Sequence, residues 1–481
     1  MTSLGNKIVL GTFWTAVETW GRQAAMFAVF VILVRHLGPE AFGLAALSMV
    51  APVLLAVPVT KGLPEALIQR SEVEPIHFHS VFWLLVAIGA VLSGLIWAFA
   101  GVIADIFGQP VLKDLIRWTS LIVLIQSIAG VPIAILKRQL NFRLFALRTM
   151  VGTIIGGSLG VALAISGYGM WSIIWMQIAK AVVETAVLLV GSAWSPRLQF
   201  SWSRCSELFG FGGPILGQSL WTFVNDEMPK VILGLFLGPY AVGIYAMARR
   251  PLELLVEAFL SPIVTMTMPA VARVQSEPDK INRFFNASVR LAGIVAFPAF
   301  VGFAAIAPVA VPFIFGQQWV SGILAVQILM LLGLQRAIDS ICAYTILALG
   351  HSGLILKLNI AYTVLGAILL TAAAQININV TISALVATNL LLLPIFLFLV
   401  QRIGQVDVLK PLAIYPRLAF AAVLMFAAVA AWLAAAPANL SPIILIAGGI
   451  AAGAVVYLGA AIILVRPDLL NARDLSLRLR G

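Results

Sequence analysis

Leu37-Gly38-Pro39-Glu40-Ala41-Phe42-Gly43 and, two hundred residues on, Leu237-Gly238-Pro239-Tyr240-Ala241-Val242-Gly243 spell one phrase twice. Each copy lies between two long apolar stretches. A second echo, Phe107-Gly108-Gln109 against Phe315-Gly316-Gln317, recurs at nearly the same offset. Both point to one ancestral unit of about six membrane helices used twice, the plan on which many secondary transporters enclose a central site.

Composition agrees. Of 481 residues, 62% are hydrophobic and 10% charged, a balance foreign to soluble globular domains. Apolar windows of about 20 residues, the span of a bilayer core, recur along nearly the whole chain. The runs are continuous and do not alternate with period two, which favours helices over a barrel. The expected fold is an all-α polytopic membrane protein of about 14 transmembrane helices. Its expected parts are an N-terminal six-helix lobe over 1–200, a C-terminal six-helix lobe over 201–402, and helices 13 and 14 with a tail over 403–481. Pro52 and Pro58 in the second span, and Pro251 and Pro262 in the eighth, predict kinks or local breaks. The first apolar run is too long for a signal peptide.

The net charge of +11 raises the question of nucleic acid, but its distribution reads as topology. Lys137, Arg138, Arg143, Arg148, Arg273, Lys280, Arg283 and Arg290 fall on one side of the predicted spans. Only Arg35, Lys113 and Arg117 fall on the other. That asymmetry predicts both termini in the cytoplasm of a multi-pass protein of the cell inner (cytoplasmic) membrane, with no nucleic-acid partner. Cys205, expected in a cytoplasmic loop, and Cys342, inside the tenth span, lie at different membrane levels, so no disulfide is expected.

Charges inside the spans carry the functional reading. The bases are Arg22, Lys180, Lys230, Arg249, Arg250 and Arg336; the acids are Glu18, Glu184, Asp226, Glu227, Glu253, Glu257 and Asp339. Each costs roughly 2.5–3.5 kcal/mol at the bilayer centre on insertion scales. Local pairing lowers that cost without any ligand. Glu18–Arg22, Lys180–Glu184, Asp226–Lys230 and Arg249–Glu253 are spaced i,i+4, and Arg250–Glu253 and Arg336–Asp339 i,i+3, so each pair shares a helix face. The eighth span resists this account. Arg249, Arg250, Glu253 and Glu257 crowd two cations and two carboxylates beside Pro251, and a helix inserts more easily without them. They are expected to line a water-accessible cavity.

Arginine's planar fork suits phosphate oxygens, so Arg22, Arg249 and Arg250 are the candidate binders of an anionic substrate such as a lipid pyrophosphate. Glu18, Glu253 and Glu257 are the candidates for a coupling proton or Na⁺. No catalytic residue, metal site or cofactor is expected. His77-Phe78-His79, with Glu72 and Glu74, reads better as a polar loop entering the third span than as metal ligands. Gly152, Gly156 and Gly160 have the spacing of close helix packing. A P-loop is absent from the sequence.

Leu33-Val34-Arg35-His36-Leu37-Gly38-Pro39-Glu40-Ala41-Phe42-Gly43-Leu44 resembles the first-loop motif of bacterial polysaccharide-export flippases. Leu63-Pro64-Glu65-Ala66-Leu67-Ile68-Gln69-Arg70 and Lys137-Arg138-Gln139-Leu140-Asn141-Phe142-Arg143 are similar to motifs after the second and fourth spans of the same proteins. These are Wzx-type members of the polysaccharide transporter group, within the multidrug/oligosaccharidyl-lipid/polysaccharide superfamily; colanic-acid and succinoglycan exporters are the nearest in character. The resemblance implies two six-helix lobes across a V-shaped cavity, with spans 13 and 14 packed outside. It implies alternating-access movement of an undecaprenyl-pyrophosphate-linked oligosaccharide between leaflets, for exopolysaccharide or lipopolysaccharide biosynthesis. The implied partners are the lipid-linked oligosaccharide, membrane lipids and the polysaccharide polymerase or export machinery. Related lipid II flippases use cavity arginines in their first, second and eighth spans. Arg22 fits the first and Arg249 or Arg250 the eighth, whereas the second offers only Lys61 at its end.

Two rivals remain. A cation-coupled drug or metabolite antiporter on the same scaffold would have a net acidic cavity, so the discriminator is which charges face it. A membrane-embedded polymerase or glycosyltransferase would need a large loop carrying catalytic groups. The short, nearly uncharged loops between odd and even spans argue against that.

Overall fold

The computed structural model describes residues 23–139, 141–437 and 439–478, with side chains described up to residue 464 except at 142, 211 and 214. The described chain is helical, without strands. Its first elements are α1 (Gln23–His36), α2 (Pro39–Ser48), α3 (Val50–Thr60), α4 (Leu63–Gln69), α5 (Pro75–Ile106) and α6 (Leu112–Arg138). Then come α7 (Phe142–Ile165), α8 (Trp171–Gly191), α9 (Trp202–Leu255), α10 (Ser261–Arg273), α11 (Pro278–Ala296) and α12 (Gly302–Phe315). The last are α13 (Ile323–Ala348), α14 (Ser352–Ala374), α15 (Ile378–Gly404), α16 (Leu409–Leu412), α17 (Tyr415–Ala435) and α18 (Pro442–Arg478).

Among the described residues, 12 helical stretches are long and apolar enough to cross a membrane, and α1 is a shorter apolar helix. One stretch, Ile215–Arg273, is 59 residues long and turns at Gly238, whose φ is 76°. Counting it as two crossings, and α1 as the described part of the first, gives the expected fourteen. The expected proline breaks are present in part. The second span parts between α2 and α3 just before Pro52, and a π-helical turn, Val256–Leu260, joins α9 to α10 just before Pro262, whereas Pro58 and Pro251 lie inside α3 and α9. The Phe-Gly-Gln echo is a helix stop used twice. Gly108 and Gly316 end α5 and α12 with φ of 61° and 104°, a region that glycine enters at no steric cost. Cys205 lies within α9 and is fully buried, not in a loop, because the helix begins three residues earlier.

The chain divides into two compact units, Met1–Gly243 and Ile244–Gly481. In the first unit α5 packs on α6, and α7 on α8, with α6 between them and α3. The small-residue stripe of α7 makes its contact with α8. A Cβ on Gly152 would meet Glu184 Cγ at 2.5 Å, and one on Gly156 would meet Lys180 Cβ at 2.9 Å. In the second unit α13 packs on α15, α10, α11 and α12, and the rings of Phe300, Phe315 and Trp319, in α12 and the turns flanking it, are fully buried. The last two spans, α17 and α18, pack on each other and on α12.

Backbone carbonyls freed by proline find side-chain donors there. Pro298 and Pro308 lack the N–H that would bond Ile294 O and Ala304 O. Tyr457 Oη donates to Ile294 O at 3.1 Å, and Gln327 Nε2 donates to Ala304 O at 3.0 Å.

The duplicated signature meets itself within the first unit. A methyl on Gly43 would lie 1.8 Å from Pro239 O, and one on Gly243 would lie 1.9 Å from Pro39 O. The contact is reciprocal, backbone on backbone, and only glycine admits it. Toward the other end of the second span, a Cβ on Gly212 would lie 2.9 Å from the carbonyl carbon of Gly62.

The two later family motifs interlock near that end. Arg138 donates to the carbonyls of Leu67 at 2.8 Å, Ile68 at 3.3 Å and Ser71 at 3.2 Å, and to that of Arg70, closing the C-terminal end of α4. Lys137 Nζ lies 3.1 Å from Glu65. Arg70 pairs with Glu207 at 2.6 Å, and Arg204 with Glu74 at 3.1 Å. His77 Nδ1 accepts the Glu74 backbone N–H at 3.1 Å, so its proton sits on Nε2, 3.6 Å from Glu207. His79 Nδ1 accepts the Arg197 backbone N–H at 3.2 Å, and its ring stacks on Trp194. Both histidines are therefore engaged in fastening α5 to its flanking segments.

Substituting alanine at Gly43 or at Gly243 should cost each about 3 kcal/mol or more, since the obstacle is a carbonyl that cannot rotate aside. Gly38→Ala, with φ of −69° and no atom within 4 Å of its Cβ, should be nearly neutral. Thermal unfolding of the three purified variants makes the comparison. A pH dependence is also expected at the exposed Glu207. The hydrogen bond from Arg70 holds its carboxyl below the usual carboxylate range, with partial desolvation opposing and His77 and Arg204 assisting. A depressed carboxyl stabilises the fold above its unfolded range and loses that contribution as pH falls through the folded value. The stability gap between wild type and Glu207→Gln should therefore close on acidification.

Candidate functional site

Beyond the bend at Gly238, α9 carries Tyr245, Arg249, Arg250 and Glu253 in its last turns. Pro251 and Leu252 turn inward and are buried, which leaves the charged side chains on the opposite flank. Arg249 Nε donates to Glu253 Oε1 at 2.7 Å, and Arg250 lies 3.5 Å from Glu253 Oε2. Tyr245 Oη stands 3.5 Å from the Arg249 guanidinium. Two guanidinium groups thus share one carboxylate. The side chains are 18%, 23% and 38% exposed for Arg249, Arg250 and Glu253, far from sealed in a helix apolar enough to span a membrane. Glu257 is not part of the trio. It is exposed in the π-helical turn, which breaks the four-residue spacing, and has no ion-pair partner among the described residues. Arg22 and Glu18 lie outside the described residues.

The other intramembrane charges sort differently from their spacing. Lys180 and Glu184 face each other at 3.9 Å, as expected for an i,i+4 pair. Lys230, however, bonds both oxygens of Glu227 at 2.8 Å and not Asp226, whose side chain is one methylene shorter. Asp339 forms no ion pair with Arg336 within 4.0 Å among the described residues; it accepts from Gln335 Nε2 at 2.8 Å.

A polar cavity of about 260 Å³ opens inside the first unit, with Lys61, Glu65, Lys137, Arg148 and Glu184 among its lining. Glu65 is taken by Lys137 at 3.1 Å and Lys61 at 3.7 Å. Arg148 stacks over the Phe145 ring at 4.3 Å, and its buried Nε has no hydrogen-bond partner among the described residues. Three cations against two carboxylates make this an environment for an anion. Sequence reasoning counted Arg148 only as a topology charge. The usable signal was the glycine stripe just after it, which brings α7 against Glu184.

The protein-family model described as "Polysaccharide biosynthesis protein" matches residues 32–324, well over half of the chain and inclusive of both signature copies. This chain belongs to that family. The succinoglycan biosynthesis transport protein ExoT of Rhizobium meliloti is 28% identical over 330 residues, covering 69% of this chain and 66% of the relative. The lipopolysaccharide biosynthesis protein WzxC of Escherichia coli is 25% identical, over 76% of this chain and 74% of the relative. The teichuronic acid biosynthesis protein TuaB of Bacillus subtilis is 24% identical, over 80% of each. Among solved structures, the lipid II flippase MurJ in an inward closed conformation superposes with a TM-score of 0.79 at 15% identity, covering 95% of this chain and 100% of MurJ. An inward-facing multidrug MATE transporter gives 0.65 at 17% identity, over 80% and 95%. At those identities the likeness establishes the fold. The family and the helices together make this polysaccharide biosynthesis protein a multi-pass membrane transporter.

If Lys230–Glu227 is a structural pair, Lys230→Met alone should cost up to about 3 kcal/mol by stranding a carboxylate. The double variant Glu227→Gln/Lys230→Met should recover most of that loss in the same unfolding measurement.

Proposed function

We propose that this protein is a flippase that carries a polyprenyl-pyrophosphate-linked oligosaccharide repeat unit across the cytoplasmic membrane by alternating access. The observation that carries the reading is the sharing of Glu253 by Arg249 and Arg250, two adjacent guanidinium groups in a membrane helix. A guanidinium pair keeps its charge when partly desolvated and matches the oxygens of a diphosphate. In this reading Arg22, Arg249 and Arg250 grip the pyrophosphate, the sugars occupy the wet cavity, and the lipid tail stays in the bilayer. Glu18, Glu253 and Glu257 are the carboxylates that would take the coupling ion.

The relatives are named for three different polymers, succinoglycan, lipopolysaccharide and teichuronic acid. That spread fits a transporter that recognises a shared anionic carrier more than any one sugar. The substrate can drive the switch between access states only through unequal affinity for them. With the termini in the cytoplasm, the interlocked motifs at α4 and α6 would lie at the loading face, and polymerase or export machinery would receive the product at the opposite face.

The test is accumulation of lipid-linked sugar in cells depleted of the protein. Wild type should clear it, and Arg249→Ala/Arg250→Ala should leave at least tenfold more in the inner leaflet. Full rescue by the double variant would remove the site while keeping the activity. No accumulation at all, with normal surface polysaccharide, would overturn the flippase reading.

A further inference from the structure

Gln335 and Asp339 stand one turn apart on α13, in the second unit, and neither belongs to the arginine trio. Gln335 is 3% exposed and gives one amide hydrogen to Asp339 Oδ2 at 2.8 Å. Two oxygens are then left over. Gln335 Oε1 and Asp339 Oδ1 are both buried, and neither has a hydrogen-bond partner among the described residues. Two adjacent buried acceptors without donors, on a carboxylate residue that is only half-buried, are an unstable arrangement. One proton repairs both. If Oδ1 carries it, the new O–H can donate to Gln335 Oε1 while the amide N–H continues to donate to Oδ2, and amide and acid close a two-bond ring.

We propose that Gln335 and Asp339 form a proton-binding site. The closed ring is the protonated state. Release breaks the O–H bond, leaves the electron pair on Oδ1 as a carboxylate, and hands the proton to water. This deepens the flippase reading by adding Asp339 to Glu18, Glu253 and Glu257 as a carboxylate for the coupling proton, and its transport role rests on that reading. Arg336 and Cys342, three positions to either side of Asp339, are the ionisable residues next to it along the same helix. Tyr415 of α17, also ionisable, donates to Val289 O at 3.0 Å. The charged residues of the helices packed on α13, namely Arg273, Asp279, Lys280, Arg283, Arg290, Lys357 and Arg402, make no ion pair with Asp339 among the described residues.

The deciding variant is Asp339→Asn. An amide at 339 can accept from Gln335 Nε2 and donate to Gln335 Oε1, so the ring stays closed at every pH. Gln335→Leu leaves Asp339 without its donor. In purified protein, infrared difference spectra across a pH titration should show a protonated-carboxyl band that Asp339→Asn abolishes. The unfolding temperature of Asp339→Asn should match wild type at neutral pH, while that of Gln335→Leu falls. Absence of the band in wild type, its survival in Asp339→Asn, or equal destabilisation of both variants would overturn the site. None of these readouts needs substrate, so they stand apart from the flippase reading. In cells, Asp339→Asn should raise lipid-linked sugar at least tenfold; wild-type levels would overturn the coupling role and leave the proton site intact.

Discussion

A bilayer core offers a peptide group nothing to bond with, and each amide hydrogen or carbonyl left over there costs several kcal/mol. Helices follow from that at once. Less obviously, so does the placing of many polar side chains. Where proline removes a ladder bond, Tyr457 or Gln327 supplies a donor to the carbonyl set free. Where α4 ends after only seven residues, Arg138 lays its guanidinium across the exposed carbonyls. The motif residues after the second and fourth spans are thus a structural fitting as much as a family mark, since each supplies what the other lacks.

The same constraint separates charges that merely survive in the membrane from charges that do something there. Lys230 and Glu227 neutralise each other at short range and need no further explanation. Arg249 and Arg250 instead share one carboxylate, Glu253, and the three side chains stay partly open. Hydrocarbon would reward the removal of charges clustered so closely on one helix. In the first unit the cavity around Arg148 gathers three cations and two carboxylates.

The architecture was legible because its signals are long or repeated. Apolar runs, prolines and the doubled glycine phrase each survive without knowledge of neighbours, and Gly238, the bend in the 59-residue stretch, sits inside that phrase. The site was half legible. Spacing on one helix brought out Arg249, Arg250 and Glu253, but it promised a continuous stripe that the π-helical turn cuts before Glu257 reaches the trio. It paired Lys230 with the wrong acid and Asp339 with the wrong partner, because helical spacing measures angle and not reach. Arg148 escaped since its company comes from other helices. Gln335 escaped because a neutral amide raises no flag in a search for charge.

The meeting of Gly43 with Pro239, and of Gly243 with Pro39, has the form of an isologous contact: each surface is matched by its own copy. A chain bearing the phrase only once would have had no internal mate for it. Such a chain could make this contact only with a second molecule of itself, so joining two copies in one chain would turn a homodimer joint into an intramolecular one. The residues between proline and glycine differ in the two copies, Glu40 and Phe42 in one and Tyr240 and Val242 in the other, while the joint itself is symmetric.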